Sequence, residues 1–348
     1  MRILIATVQV PFIRGGAECH AEGLREALVE RGHEAEIVAI PFKSYPPDGV
    51  AKQMLACGLL DVTEVAGAPV DLLIGLRFPA YLIPHHRKVI WVLHQYRAAY
   101  ELWDHPLTRM IHAPSGRSVR DFIHQVDTAA LPAAKKLFAN SRNVSKRLRQ
   151  NCGIEAPHLY HPPPSASLYR SADALDYFFF PSRLCPPKRQ ILVLEALAEC
   201  TLPCRVVFCG APDNPTYAKT VADKAVGLGV ADRVEWRGRI SESEKVELYS
   251  KCLAVIYPPV DEDYGYVTLE AMLSAKPVIT CNDSGGPLEF VTHLVTGLVV
   301  HPSPLAMASA MDTIWRNRKQ ARKLGDMGLR QYRELRISWE SVVTALVS

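Results

Sequence analysis

The feature that most constrains this chain is a repeated alternation of short apolar segments with amphipathic ones. In the first half, the apolar segments predict buried strands at 2–8, 35–40, 70–76 and 88–93, with shorter ones at 137–139 and 159–160. Helical spacing of Ala21, Leu24, Ala27 and Leu28 predicts a helix over 17–31. This alternation predicts an α/β fold whose parallel sheet is covered by helices on both faces.

A run of three prolines interrupts the alternation at residues 162–164. Proline cannot extend a ladder of strand hydrogen bonds, so this run predicts an extended connector and a domain boundary. A second series follows, with predicted strands at 176–180, 205–209, 233–236, 254–257 and 277–280. Its predicted helices lie at 189–200, 215–228, 242–251 and 266–275, and the chain after 304 is expected to be wholly helical. A length of 348 residues suits two such domains.

Composition predicts a globular protein without a membrane-spanning helix. Apolar residues make up 48% and charged residues 22%, and no apolar run approaches the ~18 residues that a membrane-spanning helix needs. The first apolar run is too short for a signal peptide, so we expect a cytoplasmic protein. The nine cysteines show no zinc-binding pattern: Cys200 and Cys204 flank a Leu-Pro turn, but no second pair follows. We interpret all nine as reduced, structural thiols.

The net charge of +4 is small, but basic residues cluster in one segment. Residues 128–154 contain six lysines and arginines and no acidic residue: Lys135, Lys136, Arg142, Lys146, Arg147 and Arg149. Two interpretations stay open, a solvated helix face and a surface for anionic lipid or a phosphorylated acceptor. Nucleic acid is not an expected partner, because no known binding module accompanies the segment.

The residues most indicative of chemistry are two glutamates around a glycine-led helix start. Glu262 lies in a loop after a predicted strand, Gly265 precedes the next helix, and Glu270 lies within that helix. Two carboxylates placed this way can accept hydrogen bonds from hydroxyls at two ends of one ligand. The free N–H groups of the helix start between them suit a phosphate. Spacing alone favours the simpler interpretation, two solvated acids near a helix start.

Three further loops offer ligand-binding groups. Gly285 and Gly286 allow close approach of the backbone to a ligand, and Pro287 suits the first position of a helix. Arg183 and Lys188 follow a predicted strand and can bind a diphosphate and stabilise its charge. In the first domain, the loop Arg14-Gly15-Gly16-Ala17-Glu18 follows the first strand without forming a dinucleotide fingerprint, and His94 ends a strand.

Taken together, these segments resemble glycosyltransferase family 4, the retaining enzymes with the GT-B architecture. The resemblance extends over almost the whole chain. It rests on the Gly-Gly-x-Glu start, on Arg183 with Lys188, on the pair Glu262 and Glu270, and on the segments 285–289 and 296–299. Two positions depart from the family, which usually has glycine where this chain has Ser182 and often has glycine where it has Arg189.

The resemblance implies two Rossmann-like, doubly wound domains facing across a cleft. It places an acceptor-side domain at 1–164, a nucleotide-sugar domain at 165–330 and a helix returning to the first domain at 331–348. It also implies roles. Glu270 would bind the donor ribose, Glu262 a hydroxyl of the transferred sugar, and His94 would lie near the anomeric centre. Arg183, Lys188 and main-chain N–H groups near Leu288 would hold the diphosphate, and Gly16 would let the loop of the first domain approach the donor phosphates. Further donor-binding residues would be Gly265, Gly285, Gly286 and Pro287. The base would lie beside Arg239 and Ile240.

The implied reaction moves a hexose from a UDP- or GDP-sugar to a glycan or lipid-linked acceptor, with retained anomeric configuration. No metal or other cofactor is expected. The setting would be polysaccharide assembly, with the basic segment 128–154 at the inner membrane face. Three alternatives stay open. Asp261-Glu262-Asp263 spells the D-x-D metal motif of another glycosyltransferase architecture. The architecture also serves sugar-nucleotide 2-epimerases, and the chain can be a non-catalytic sugar-nucleotide-binding protein.

Overall fold

The computed structural model describes residues 1–108 and 110–348 and divides the chain into two compact units. The first unit comprises Met1–Pro164 and Ser338–Ser348, and the second comprises Ser165–Ile337. The division falls at the end of the proline run. The segment that returns to the first unit begins later than the predicted position 331, because a helix of the second unit continues through Leu335.

The first unit is built on a parallel sheet of five strands. Its strands, with a small antiparallel hairpin formed by β3 and β4, are β1 (Arg2–Gln9), β2 (Glu34–Pro41), β3 (Glu64–Val65), β4 (Ala68–Pro69), β5 (Leu72–Gly75), β6 (Lys88–Val92) and β7 (Lys136–Ala139). The sheet order is β2-β1-β5-β6-β7. The predicted strand at 159–160 is not formed, and the chain there makes only an isolated bridge from His158 to Ala139. The prolines that follow have no N–H to extend a ladder.

Helices cover this sheet: α1 (Gly16–Val29), α2 (Pro47–Gly58), α3 (Gly116–Ala130) and α4 (Arg142–Cys152). The predicted helix over 17–31 corresponds to α1, and its predicted apolar positions are buried. At the start of α4, the Ser141 hydroxyl accepts a hydrogen bond from the Val144 N–H at 3.0 Å. This contact satisfies one of the free donors of the helix start.

The second unit contains a parallel sheet of six strands in the order β10-β9-β8-β11-β12-β13. The strands are β8 (Phe178–Pro181), β9 (Val206–Cys209), β10 (Val234–Gly238), β11 (Ala254–Ile256), β12 (Val278–Cys281) and β13 (Gly297–Val300). The first five match the predicted series within a few residues. The sixth was not predicted; it begins at Gly297, and glycine is depleted in strands.

The helices of the second unit are α5 (Gln190–Glu199), α6 (Pro215–Gly227), α7 (Glu242–Lys251), α8 (Tyr266–Leu273), α9 (Pro304–Arg316) and α10 (Arg318–Leu335). As predicted, Ser241 caps α7, and its hydroxyl accepts a hydrogen bond from the Glu244 N–H at 3.2 Å. The helix expected after Pro287 is a single 3₁₀ turn, Gly286–Glu289. Within the described residues, no helix combines the length and apolarity needed to cross a bilayer.

The last helix, α11 (Trp339–Val347), packs on α1 in the first unit. Its buried face, Val342, Val343 and Leu346, joins the apolar core beneath β1. Its indole lies against Gly23 so closely that a Cβ there would be 2.6 Å from the Trp339 ring. Glycine on α1 therefore makes room for the tryptophan that begins α11.

Two buried histidines lie in the same aromatic cluster. The rings of His20 and His161 stack with centroids 4.0 Å apart, and the Trp91 ring meets His20 edge-on at 4.2 Å. Burial, followed by the charge of Arg77, lowers the pKa of His20 to about 3. Burial, followed by the charge of His20, lowers the pKa of His161 well below its usual range. Both imidazoles are therefore neutral in the folded protein near pH 7.

Acidification is expected to destabilise the first unit. Both histidines bind a proton below pH ~6.5 when unfolded but not when folded, so each removes about 1.4 kcal/mol of stability per pH unit in that range. Burial raises the pKa of Asp127 to about 6. The folded state therefore gains a proton at Asp127 between about pH 6 and 4. In that range this gain offsets the loss of stability that one histidine causes.

Urea unfolding of wild type and His20→Leu between pH 7 and pH 5 tests this expectation. The variant should lose stability less steeply, by about 1.4 kcal/mol per pH unit, because one of the two protonations is removed. The test compares the slopes of the unfolding free energy against pH, so the absolute stability of the variant at pH 7 does not affect it. Equal slopes for the two proteins would contradict the assignment.

Candidate active site

The predicted site residues of the second unit lie on the loops and on helix α8 at the carboxyl edge of its sheet. The strand order reverses between β8 and β11, which are adjacent although three strands apart in the sequence. Ligands of open α/β sheets bind outside the carboxyl ends of the strands at such a point. The loop after β8 carries Arg183 and Lys188, and the loop after β11 carries Glu262.

Lys188 and Glu262 form the central ion pair of this edge. The Lys188 ammonium contacts the Glu262 carboxylate directly, and it donates to the Tyr257 hydroxyl at 3.1 Å. Burial alone would lower the pKa of Lys188, but the charge of Glu262 outweighs it and the pKa is raised. The lysine is therefore a permanent cation. Its side chain and that of Glu262 remain partly exposed, at 14% and 21%.

The Glu262 loop is fixed by backbone hydrogen bonds to the loop after β12. The N–H of Glu262 donates to the Ser284 carbonyl at 2.9 Å, and the N–H of Gly286 donates to the Glu262 carbonyl at 2.7 Å. A Cβ on Gly286 would lie 2.7 Å from the Tyr264 carbonyl oxygen. Glycine is required there because the two loops are in backbone contact.

Arg189 ties the loop after β8 to the same pair of loops. Its guanidinium makes two hydrogen bonds to the Asp283 carboxylate, at 2.7 and 2.5 Å. Its backbone has a φ of 60°, in the left-handed region that favours glycine. The bidentate pair with Asp283 anchors the arginine side chain while its backbone adopts this conformation.

Glu270 is enclosed by donors from α7. The Tyr249 hydroxyl donates to Oε2 of Glu270 at 2.6 Å, and Nζ of Lys245 lies 3.1 Å from Oε1. Glu270 is only 5% exposed, and Tyr249 is fully buried. Burial alone would lower the pKa of Lys245, but the charge of Glu270 outweighs it and the pKa is raised. The carboxylate is therefore held in one orientation by a cation and a hydroxyl.

The predicted helix start between the two glutamates is present. Gly265 precedes α8 with a φ of 85° and supplies no side chain to cap it. A Cβ at Gly265 would lie 3.1 Å from the Tyr257 ring and 3.3 Å from Pro287, so the glycine also permits close packing. The first N–H groups of α8 point along the helix axis at the carboxyl edge of the sheet.

The segment after Gly285 differs in detail from the prediction. Gly285 has a φ of 69°, which glycine tolerates, and Pro287 lies within the 3₁₀ turn. The Leu288 N–H, predicted to contact a diphosphate, donates to the Gly285 carbonyl at 2.9 Å because the turn closes on itself. A ligand here would have to share or replace that bond.

Arg183 has its own carboxylate partner rather than joining the Lys188 pair. Its Nη1 donates to both oxygens of Asp213, at 2.7 and 2.9 Å. Burial raises the pKa of the neighbouring Cys185 thiol to about 11, and the charges of Lys188, Asp213, Arg183 and Glu262 all act on it. The charges of both predicted cations therefore act on one thiol, and each cation is paired with an acid.

The loop after β10 carries Arg239 and Ile240. Arg239 is exposed, and Ile240 packs against the apolar cluster that includes Tyr169 and Tyr249. Their predicted place beside the base stays a prediction.

In the first unit, the Gly-Gly loop is held by Glu18. Its carboxylate accepts a hydrogen bond from the Gly15 N–H at 2.7 Å and one from Arg77 at 2.9 Å. Gly16 then begins α1 directly after the extended Gly15. The strand order of this sheet reverses between β1 and β5, and the Glu18–Arg77 pair joins the chain segments that follow these two strands.

His94 follows β6 and is half-buried. Its Nδ1 lies 2.7 Å from the Gln95 carbonyl oxygen. A carbonyl oxygen only accepts, so Nδ1 carries the hydrogen of this contact. In the neutral ring, Nε2 is then the nitrogen that can accept a hydrogen bond or a proton. The next residue, Gln95, donates to buried Asp127 at 3.4 Å, and Asp127 also accepts hydrogen bonds from Tyr81 at 2.7 Å and Tyr100 at 2.8 Å.

The basic segment 128–154 does not form one uniform basic surface. Arg147 is buried and pairs with Glu101 at 3.2 Å, and Arg149 pairs with Glu155. Lys136 donates to the Ala345 carbonyl of the last helix and to the hydroxyl of Ser348, which follows that helix. The exposed basic residues are Lys135, Arg142, Lys146 and Arg149.

Comparison with known proteins identifies the family that the second unit resembles. Residues 169–331 match the family model described as glycosyl transferases group 1. This range includes Arg183, Lys188, Glu262 and Glu270. The chain is 36% identical over 101 residues to alpha-1,3/1,6-mannosyltransferase ALG2 of Mus musculus, a match covering 29% of this chain and 24% of that protein. The chain thus spans about a quarter of the length of that relative.

Two solved structures share the fold over nearly the whole chain. Sucrose-phosphate synthase of Thermosynechococcus elongatus has a TM-score of 0.78 at 18% identity, covering 99% of this chain and 97% of its own. Anabaena HepE, solved in complex with UDP-glucose, has a TM-score of 0.73 at 17% identity, covering 99% and 98%. These likenesses confirm the predicted GT-B fold of two parallel-sheet α/β domains with a C-terminal helix.

Sequence reasoning did not find the partners of the predicted residues. Tyr257 and Tyr249 lie in or beside apolar segments and resemble core residues in the sequence. Lys245, Asp213 and Asp283 lie 25, 30 and 94 residues from the side chains that they contact. No local pattern links groups so far apart, because the sheet alone brings their loops together.

Proposed function

We propose that this protein is a glycosyltransferase that moves a hexose from a nucleoside-diphosphate sugar to a glycan or lipid-linked acceptor. The match of residues 169–331 to glycosyl transferases group 1 carries the proposal, since it nearly coincides with the second unit, Ser165–Ile337. The donor is a UDP- or GDP-sugar. The mannosyltransferase name of the ALG2 relative supports a hexose, and the UDP-glucose bound to HepE supports a nucleotide-sugar donor.

The second unit supplies groups suited to both ends of such a donor. Ribose hydroxyls are donors, and the buried Glu270 carboxylate is an oriented acceptor for them. A diphosphate needs cations and N–H groups, which Lys188, Arg183 and the start of α8 provide. Glu262 holds a hydroxyl of the sugar and also keeps Lys188 charged and in place.

The proposed mechanism places electrostatic stabilisation in the protein and the nucleophile in the acceptor. As the glycosidic bond to phosphate breaks, positive charge develops on the sugar and negative charge on the departing diphosphate. Lys188 and Arg183 stabilise the second charge. We propose retention of the anomeric configuration, by attack on the face that the leaving group departs from, and a reaction without metal.

Donor affinity is expected to depend on Glu270 and on the residue that orients it. Glu270→Ala should weaken donor-nucleotide binding by about 10- to 100-fold, since hydrogen bonds to a charged group contribute about 1.5–3 kcal/mol. Tyr249→Phe should weaken it less, because Lys245 still holds the carboxylate. Calorimetry or a thermal-shift panel of UDP- and GDP-sugars measures both.

Tyr217→Phe is the matched control for this series, because its hydroxyl contacts Gln190 rather than Glu270. It should bind donor like the wild type. Normal donor affinity in Glu270→Ala would contradict the ribose assignment, and equal losses in Tyr249→Phe and Tyr217→Phe would contradict the role of Tyr249.

Turnover is expected to depend on the Lys188–Glu262 pair more than affinity does. Lys188→Ala should lower kcat by about 100- to 1000-fold, the usual effect of removing one group that stabilises a developing anion. NMR of the product should show the donor's anomeric configuration, and adding Mn²⁺ or Mg²⁺ should not raise the rate. An inverted linkage, or activity lost in EDTA and restored by Mn²⁺, would favour the D-x-D alternative.

We also propose that the enzyme works in the cytoplasm on acceptors of cell-surface polysaccharide assembly at the inner membrane face. The exposed residues Lys135, Arg142 and Lys146 support peripheral contact with anionic lipid, worth about 1 kcal/mol each near such a surface. Sedimentation with anionic vesicles should therefore fall with added salt and fall in a variant with all three changed to Gln. Salt-independent sedimentation would count against this contact.

A further inference from the structure

Two cysteines and an aspartate converge on the amino edge of the second sheet, opposite the edge that carries Glu262. Cys200 directly follows α5, and Cys204 precedes β9 by two residues. Asp312 lies on α9, which packs against α5. The three residues are therefore held by two packed helices and by the loop 200–204 that enters the sheet.

The side chains are close enough to share one ion. The two Sγ atoms and a carboxylate oxygen of Asp312 all lie within 4.8 Å of one another. Among the residues that the structure describes, no other set of three His, Cys, Asp or Glu side chains meets this condition. The Cys204 thiol donates a hydrogen bond to Oδ1 of Asp312 at 3.8 Å, so the thiol hydrogen lies between the two potential ligands.

Asp312 is oriented by groups that are not ligands themselves. Its Oδ2 accepts hydrogen bonds from the Thr201 N–H at 2.9 Å and the Thr201 hydroxyl at 2.5 Å. Its Oδ1 accepts a hydrogen bond from the Leu202 N–H at 3.2 Å. Outer hydrogen bonds of this kind fix the carboxylate ligands of metal sites and strengthen metal binding.

From this cluster we infer a zinc site with Cys200, Cys204 and Asp312 as its three protein ligands. Two sulfurs and one oxygen suit Zn²⁺, whereas Mg²⁺ and Ca²⁺ require oxygen ligands. Cys200 and Asp312 are only partly buried, which leaves the fourth tetrahedral position to water. On binding, each thiol loses its proton to solvent and the sulfur bonds to the metal.

The zinc ion would join the loop 200–204 to α9 and so stabilise the second unit. The site lies at the opposite edge of the sheet from the Lys188–Glu262 pair, so its role is structural and separate from the proposed transfer. This inference replaces, for Cys200 and Cys204, the interpretation that every cysteine is a metal-free thiol.

Titration of reduced, tag-free protein with Co²⁺ tests the site, because cobalt replaces zinc and shows thiolate-to-metal charge-transfer absorption. A free-thiol count of nine establishes full reduction beforehand. Wild type should bind one equivalent with this absorption, and Zn²⁺ should displace it. Cys200→Ser with Cys204→Ser should abolish the absorption, while Cys19→Ser, a control from the first unit, should keep it.

A milder variant tests the site even if the double variant misfolds. Thr201→Val keeps all three ligands but removes the hydroxyl that orients Asp312, and should weaken metal binding by about 10- to 100-fold. Zn²⁺ should raise the melting temperature of wild type and Cys19→Ser but not of the double variant. Fully reduced wild type without charge-transfer absorption, or equal absorption in the double variant, would overturn the inference.

Discussion

The site depends on backbone contact between the loops that follow β11 and β12. The N–H of Glu262 reaches the Ser284 carbonyl, and the N–H of Gly286 returns to the Glu262 carbonyl. A side chain at position 286 would force these two loops apart, because its Cβ would lie 2.7 Å from the Tyr264 carbonyl oxygen. Because Gly286 has no Cβ, the two loops can form these backbone hydrogen bonds. The Glu262 carboxylate then lies in contact with Lys188.

Charge pairing then preorganises the same edge. Lys188 pairs with Glu262, Arg189 with Asp283 and Arg183 with Asp213. Each cation is partly screened by its own acid before any ligand binds, so an incoming diphosphate must compete with a carboxylate. Competition of this kind lowers ground-state affinity, and it leaves the cations in place for the charge that develops on the leaving group. In the proposed division of roles, Glu262, which pairs with Lys188, therefore affects the rate, whereas Glu270, which is remote from these cation pairs in the proposal, affects donor affinity.

The two glutamates differ in environment as much as in position. Glu270 is buried and already bonded to Tyr249 and Lys245, so it is suited to a rigid, affinity-determining contact. Glu262 is partly exposed and lies on a loop, where it contacts a lysine beside the proposed diphosphate. The zinc ligands Cys200, Cys204 and Asp312 would act at the opposite edge of the same sheet.

The sequence by itself determined the architecture and supplied the candidate site residues. Alternation of apolar and amphipathic segments depends on local periods of two and 3.6 residues, so β8 to β12 and their helices are predictable from neighbouring residues. Glu262, Gly265 and Glu270 form a pattern within nine residues of chain. Tertiary structure alone decided the partners: Tyr249 for Glu270, Asp213 for Arg183, and Asp312 for Cys204. These contacts join residues 21 to 108 positions apart. They exist because the parallel sheet brings distant loops and helices together at its two edges, which no local sequence pattern records.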